Sequence, residues 1–373
     1  MKLLHIGDLH IGKKLNDIIL LNDQKIVLNQ IIQISIEEDV DGILIAGDVY
    51  DKNSPSNEAM DLFNDFITKL VKLEKKVYII AGNHDANQKI SYFSYLLRKN
   101  NVFVSEEFLG TTQEIIENDE YGEVHIHLLP FIKPIVVKKI YPNEIINTYE
   151  DAIKITLGHS KVDVNNRNIL LCHQFITGSE TSDSEQLAIG GLDNIDYTVF
   201  DDFDYVALGH IHKAQKVGRD TLRYSGSILK YSFSEANHVK SCTLLNIKEK
   251  GKIEIKKIPL IQPNDVRIIK GNYDEIISMP YSLDYVKIIL EDEIVPIDAR
   301  YNILMVFPNM MKLVLANSRT DDDNTIEITD DFRLASIMDL FIDFYKIQNN
   351  NVEPTLEQRE ILESILKELE DYN

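Results

Sequence analysis

The sequence predicts an α/β fold followed by a small α+β unit. Three observations predict it. Short runs rich in Ile, Val and Leu recur through the first 260 residues, longer amphipathic stretches separate them, and each run ends in Gly, Asp, Asn or His. The 373 residues are 44% apolar and 27% charged, values of a globular chain rather than a disordered one.

The expected strands are Leu3–Gly7, Gly42–Ala46, Val77–Ala81, Ile169–Cys172 and Tyr205–Leu208. A helical pattern around Ile18–Ile36 separates the first two, and another around Glu58–Leu73 separates the second and third. Strand, helix, strand, helix, strand is the order of a parallel sheet with crossover helices. The character changes near Asn264. Val266–Ile269, Tyr285–Leu290 and Lys312–Ala316 read as strands, with a short helix over Asp298–Val306. The expected units are therefore 1–262, a smaller unit at 263–320, a polar linker at 321–332 and a helical region at 333–373. In that last region Leu334, Ile337, Met338, Phe341, Ile342 and Tyr345 form one apolar face of a helix. This face suits either a partner protein or ordinary docking. A final helix begins at Thr355, which with Gln358 fits a capping box, and its apolar face is Leu362, Ile365, Leu366 and Leu369.

Composition excludes some classes. Two cysteines, Cys172 and Cys242, rule out a disulfide scaffold. The first residues meet charge too early for a signal peptide, and no run approaches the roughly 18 apolar residues of a membrane helix, so the expected compartment is the cytoplasm. A phosphate-binding Gly-x-x-x-x-Gly-Lys-Ser/Thr loop is absent, so any ATP dependence must come from a partner. The net charge of −21 argues against nucleic acid if it is evenly spread. It is not: residues 321–373 hold 15 acidic and 4 basic side chains, about half of the excess.

The five strand ends carry the chemistry. They are Asp8-Leu9-His10, Gly47-Asp48-Val49-Tyr50-Asp51, Gly82-Asn83-His84-Asp85, His173-Gln174 and Gly209-His210-Ile211-His212. Ligands gather at the carboxyl ends of strands in open α/β sheets, so these residues can converge on one site. Asp, His and Asn suit a hard to borderline divalent metal. Each piece alone is weak; the ordered set is not. His5 reads as core, and His125 and His127 alternate on a strand outside this set.

The set Asp-x-His, Gly-Asp-x-x-Asp, Gly-Asn-His-Asp, His and Gly-His-x-His resembles the calcineurin-like metallophosphoesterase superfamily over residues 1–230. The resemblance implies a four-layer α/β/β/α sandwich with two metals, Mn²⁺ by preference, with Mg²⁺ or another divalent ion possible. Asp8, His10, Asp48 and His212 would hold one ion. Asp48, Asn83, His173 and His210 would hold the other, with Asp48 as the bridge. His84 would be the catalytic histidine facing the scissile phosphate. Asp85 would either orient the His84 ring or cap a helix.

Within that superfamily, Ala46–Asp51 with Ser54-Pro55-Ser56, Ala81–Asp85, and Arg223-Tyr224-Ser225-Gly226-Ser227 after the Gly-His-Ile-His motif resemble the bacterial branch of the recombination and repair nucleases. Many relatives carry a second active-site His where this chain has Asp51, here a positioning candidate. The resemblance implies a small capping domain and C-terminal helices that bind a coiled-coil ATPase, SbcC. It also implies 3′-to-5′ exonuclease action on duplex ends with ATP hydrolysis by that partner, endonuclease action on single strands and hairpins, and a homodimer. Lys13, Lys14, Lys52, Lys213 and Arg223 are DNA-contact candidates, with Lys216, Arg219 and Lys230 behind them; each also suits a solvated surface. A phosphoesterase acting on a small nucleotide or a phosphoprotein is the alternative.

Overall fold

The computed structural model describes residues 1–185, 194–296, 298–316, 338, 341–342, 345–346, 349, 352–361 and 364. The chain divides into two units, Met1–Val266 and Arg267–Asn373. The first unit runs through β1 (Lys2–Ile6), the two-residue strands β2 (Lys14–Leu15) and β3 (Ile18–Ile19), α1 (Leu21–Glu37), β4 (Gly42–Ala46), α2 (Asn57–Lys72), β5 (Lys76–Ile80), the short helices α3 (Asn87–Ile90) and α4 (Ser94–Arg98), and β6 (Val102–Val104). It continues with β7 (Gln113–Asp119), β8 (Gly122–Leu129), α5 (Pro134–Ile140), α6 (Tyr149–Ser160), β9 (Arg167–His173), β10 (Tyr205–Gly209), β11 (Gln215–Val217), β12 (Arg219–Tyr224), β13 (Ser241–Ile247) and β14 (Ile253–Pro259).

These strands form two six-stranded sheets, ordered β14-β13-β1-β4-β5-β6 and β11-β12-β10-β9-β8-β7. The expected parallel pairings of β1, β4 and β5 are present. The strands β9 and β10 also pair in parallel, which the sequence pattern does not specify. The last two lie in the second sheet. The first sheet ends in antiparallel β13 and β14, which the strand–helix alternation does not reveal. Helix α1 starts three residues later than the periodicity predicts, because Ile18 and Ile19 pair with Lys14 and Leu15 instead.

One buried cluster is shared by both sheets. Leu3, Leu44, Tyr78 and Ile80 come from the first, and Ile126, Ile169, Leu171 and Ala207 from the second. Side chains of alternate residues face opposite sides of a sheet. Leu170, Cys172, Val206 and Leu208 accordingly pack with Val137, Ala152 and Ile153 of α5 and α6 in a separate core. Helix α6 begins with a full capping box, Thr148 and Asp151 each accepting from the other's backbone N–H.

Arg167, buried at the start of β9, ties the second sheet to its neighbours. Its guanidinium donates to the Asp119 carboxylate at 2.6 and 3.1 Å, and to the carbonyls of Gly122, Glu123 and Lys248. Burial pushes the Asp119 carboxyl up, but the Arg167 bonds outweigh it and hold the pKa well below the usual 3.8. A depressed carboxylate stabilises the fold above its unfolded pKa, and that stabilisation is lost as pH falls through the folded one. Asp119→Asn is therefore expected to cost about 1.5–3 kcal/mol at pH 7, the range for hydrogen bonds to charged groups. The gap to wild type should narrow below about pH 4. Urea unfolding at pH 7 and pH 3 measures it, and a gap that does not change with pH would contradict this account.

The second unit contains β15 (Val266–Gly271), α7 (Tyr273–Ile277), β16 (Tyr285–Leu290), α8 (Ala299–Val306) and β17 (Met310–Leu315). Its sheet has the order β15-β16-β17, over a core of Ile276, Val286, Ile288, Leu290, Ile303 and Phe307. All three strands and the helix agree with the sequence to within two residues. The proposed linker lies outside the described residues, as do Leu334 and Ile337 and the apolar face at 362–369. Met338, Phe341, Ile342 and Tyr345 are helical and half-buried, and the Phe341 and Tyr345 rings lie 5.9 Å apart. Thr355 and Gln358 exchange the expected capping bonds. Among the described residues no helix is long and apolar enough to cross a membrane.

Candidate metal centre

All five polar strand ends meet at one place. The segments after β1 and β4 stay paired beyond the sheet, with Asp8 N–H donating to Gly47 O, His10 N–H to Asp48 O and Ile11 N–H to Val49 O. Gln24 of α1 holds this ridge by donating to the carbonyls of Leu9 (3.2 Å) and His10 (2.7 Å). The backbone is bent to aim the ligands. Asp8 (φ 50°), His10 (φ 42°), Asp48 (φ 50°) and His210 (φ 98°) are four of the nine non-glycine residues with positive φ among those described. Each costs of order 1–3 kcal/mol, and such strain collects at functional sites. Two glycines are required by contact. A Cβ on Gly82 would lie 2.1 Å from Asp48 Oδ1, and one on Gly209 would lie 1.8 Å from Ala46 O.

Ligand atoms of Asp8, His10 and His212 fall within 4.8 Å of one another, as do those of Asp8, Asp48 and His173, and those of His10, Asp48 and His84. Asp48 Oδ2 lies 3.5 Å from His10 Nε2 and 3.4 Å from His173 Nε2, between the two groups. Asn83 Oδ1 is 3.0 Å from both His173 Nε2 and His210 Nδ1. All seven residues predicted as ligands are thus brought together.

The donor set fits cations. His173 Nδ1 faces the carbonyl of Ala46 at 2.8 Å, so it carries a proton and Nε2 is the ring atom left for a metal. Nε2 faces the oxygens of Asn83 and Asp48, both acceptors, and carries a second proton until a metal replaces it. His10 Nε2 and His212 Nε2 converge to 3.1 Å, and Asp8 Oδ2 is buried without a hydrogen-bond partner. Acceptors aimed at acceptors need a positive charge between them.

The calcineurin-like phosphoesterase family model matches residues 1–214. The chain belongs to the calcineurin-like phosphoesterases. The D subunit of the nuclease SbcCD from Staphylococcus epidermidis is 36% identical to it over 282 residues, 74% of either chain. Among solved structures, a dimetal phosphatase from Danio rerio covers 70% of this chain and 97% of its own at 10% identity and a TM-score of 0.42. The phosphoesterase Yfce from E. coli covers 70% of this chain and 100% of its own at 11% identity and a TM-score of 0.29.

The electrostatics of this phosphoesterase centre follow from burial. Desolvation, opposed in part by His173 and His212, raises the Asp8 pKa to about 7. Asp48 is buried too, yet His173 and His10 hold its carboxyl well below the usual range. Desolvation lowers His210 to about 3, which leaves a neutral imidazole. His173 is raised to about 9 because Asp48 and Asp8 outweigh its burial, so it keeps a proton until a metal takes its place.

His84 is half-buried at the mouth. Its backbone N–H donates to Asp48 Oδ1 at 2.9 Å, and its Nδ1–H donates to the carbonyl of Asp51 at 3.0 Å. The proton on Nδ1 is thereby fixed and Nε2 is left for chemistry. The ring stands edge-on to His10 at 4.9 Å. Asp51 thus meets the His84 ring through its backbone carbonyl, while its carboxylate pairs with Lys13 at 2.8 Å.

Two expectations are corrected. Asp85 does not orient His84. Its carboxylate accepts the N–H groups of Val49, Tyr50 and Gly82 at 2.9–3.0 Å, tying the β4 and β5 loops together. Arg223 is not placed to contact DNA. It is buried on β12 and donates to Asp220 O. Its motif has a packing role: Ser225 and Ser227 are buried, and Ser227 N–H donates to His212 O. Arg219 and Lys230 are similarly occupied, Arg219 with the carbonyls of Phe200 and Phe203, and Lys230 with Ala236 O and Asp265. Lys14 and Lys52 are exposed, and Lys213 pairs with Glu180.

Sequence reasoning missed the supports. Tyr231 donates to Leu9 O and sets its ring edge toward His10 (5.6 Å) and His212 (5.7 Å). Phe131 walls the other side, 6.2 Å from His173 and 6.4 Å from His210. Neither lies in a motif, and nothing in the spacing marks them. His5 is core, bonded to Tyr205 and Leu208 O, and His125 pairs with Glu114.

Proposed function

We propose that this chain is the nuclease subunit of an SbcC–SbcD type complex, a two-metal phosphodiesterase that cuts DNA. One observation carries the reading: the 36% identity over 282 residues to the D subunit of the nuclease SbcCD. The seven converging ligands support the chemistry. Asp8, His10, Asp48 and His212 hold one ion; Asp48, Asn83, His173 and His210 hold the other. Mn²⁺ is the working ion that the family resemblance implies; the oxygen and imidazole ligands by themselves would also take Fe, Zn or Co. When bound, such a pair supplies Lewis-acid stabilisation of phosphoryl charge and lowers the pKa of a water nucleophile.

The chain's own residues do the rest. Asp48 fixes the distance between the two ligand groups and positions the His84 backbone. His84 presents Nε2 to the phosphate, where it stabilises developing charge or protonates the leaving oxygen. Lys14 and Lys52 offer exposed positive charge on the segments that follow β1 and β4. SbcC supplies ATP hydrolysis for duplex-end digestion in the 3′-to-5′ direction, and single strands and hairpins are cut endonucleolytically. The apolar face of Met338, Phe341, Ile342 and Tyr345 docks on SbcC in the cytoplasm. A second copy covers Tyr92, Phe93, Tyr95 and Leu96, four large side chains more than half exposed on α4 and the turn that precedes it.

Incubating the purified chain with a hairpin DNA and with a small phosphodiester, in Mn²⁺ with and without SbcC and ATP, tests the reading. Hairpin cleavage by the chain alone and ATP-dependent digestion of duplex ends with SbcC are expected. Turnover of the small ester with DNA untouched in both conditions would replace this function by that of a small-nucleotide phosphoesterase. Sedimentation of the same preparation reports the dimer.

A further inference from the structure

The loop between β12 and β13 holds a charged group unrelated to any motif. Glu235 is fully buried, although no metal-ligand pattern includes it. Its Oε1 lies 3.1 Å from His212 Nδ1 and accepts the Ser184 hydroxyl at 2.5 Å. Its Oε2 accepts from Lys240 Nζ at 2.5 Å. Lys240 is itself 2% exposed and donates to the carbonyl of His212 (2.9 Å) and the hydroxyl of Ser227 (2.8 Å). Glu185 closes the ring, with Oε1 accepting His212 N–H at 2.7 Å. The side chain, the N–H and the carbonyl of His212 are therefore each held by a charged group.

We propose that Glu235 and Lys240 are positioning residues that set His212 for metal binding. The inference rests on the two-metal reading of the site. A carboxylate only accepts, so His212 must carry its proton on Nδ1, and its Nε2 lone pair is then turned toward His10 and Asp8. A carboxylate behind a ligating histidine fixes the ring and strengthens it as a ligand, and losing one typically costs 10–100-fold in metal affinity. Lys240 lets that carboxylate stay buried, since an unpaired buried charge is expensive. The arrangement is one-sided. On the other ion, His173 is fixed by a neutral carbonyl, that of Ala46. The two metal sites are therefore predicted to respond differently to this pair.

Glu235→Leu/Lys240→Met removes both charges together. Glu235→Asp keeps the charge on Lys240 but withdraws the oxygens by one methylene. Mn²⁺ titration followed by electron paramagnetic resonance, with melting temperature as a folding control, reads stoichiometry and affinity. Wild type is expected to bind two ions. The double variant should bind one of them 10–100-fold more weakly and the other unchanged. Glu235→Asp should weaken that same ion by a smaller factor, up to about tenfold, and it decides the matter alone if the double variant does not fold. Two ions at wild-type affinity in the folded variants would overturn the proposal, and so would equal weakening of both. Failure of wild type to bind any Mn²⁺ would instead refute the two-metal reading.

Discussion

Asp48→Asn is expected to reduce DNA cleavage by about 10⁴ or more, equivalent to about 5.5 kcal/mol of barrier, and to leave the chain unable to hold two ions together. The reason is charge. Two divalent ions about 4 Å apart repel one another by about 16 kcal/mol at an effective dielectric of 20. Asp48 is the anion between the groups, 3.5 Å from His10 and 3.4 Å from His173. It is shared by two of the three ligand clusters. Asparagine has nearly the same shape and keeps one acceptor oxygen, so the 2.9 Å bond from His84 N–H can survive. The fold should therefore persist and the chemistry should not. Metal analysis of the purified variant, with hairpin cleavage in Mn²⁺, measures both. Two bound ions together with activity within tenfold of wild type would remove Asp48 from the bridging position.

What the sequence makes legible is set by where physics leaves a pattern. Apolar runs closed by a polar strand end mark β1, β4, β5, β9 and β10, because a buried strand must be apolar and a site at its carboxyl end must not be. The seven ligands follow from those ends. The sheet partition does not, because nothing in the runs themselves assigns β9 and β10 to a second sheet. The antiparallel edge of β13 and β14 is hidden for a related reason, since its pairing with β1 joins residues more than 200 apart in sequence. The bent backbone at Asp8, His10, Asp48 and His210 is invisible too, because those residue types adopt ordinary φ elsewhere. Asp85 shows how a motif misleads. It sits beside His84 in the chain, yet three backbone N–H groups claim its carboxylate. Glu235 and Lys240 show the reverse, a charged pair whose burial no composition or periodicity announces.

His84→Gln separates chemistry from metal binding. Glutamine can still hydrogen-bond to phosphate, but it cannot take or give a proton near neutral pH, so cleavage should fall by about 10²–10⁴. Both ions should remain, because the seven ligands are intact and His84 contributes its backbone N–H, not its ring, to Asp48. The His84 ring does reach within 4.8 Å of ligand atoms on His10 and Asp48, so loss of an ion from the variant would make it a ligand instead. Undiminished cleavage would remove it from the reaction altogether. The leaving group then distinguishes its two possible duties. A phosphodiester that expels a nitrophenolate needs no proton, whereas a deoxyribose oxygen does. If His84 is the acid, the variant should retain nearly full activity on the nitrophenyl ester and lose it on DNA. If it stabilises phosphoryl charge, both substrates should suffer alike. Either duty uses the same ring position. Nδ1–H is fixed on the Asp51 carbonyl, so the ring must carry a second proton, on Nε2, to meet the phosphate or the leaving oxygen, and the two substrates together tell which of them that proton serves.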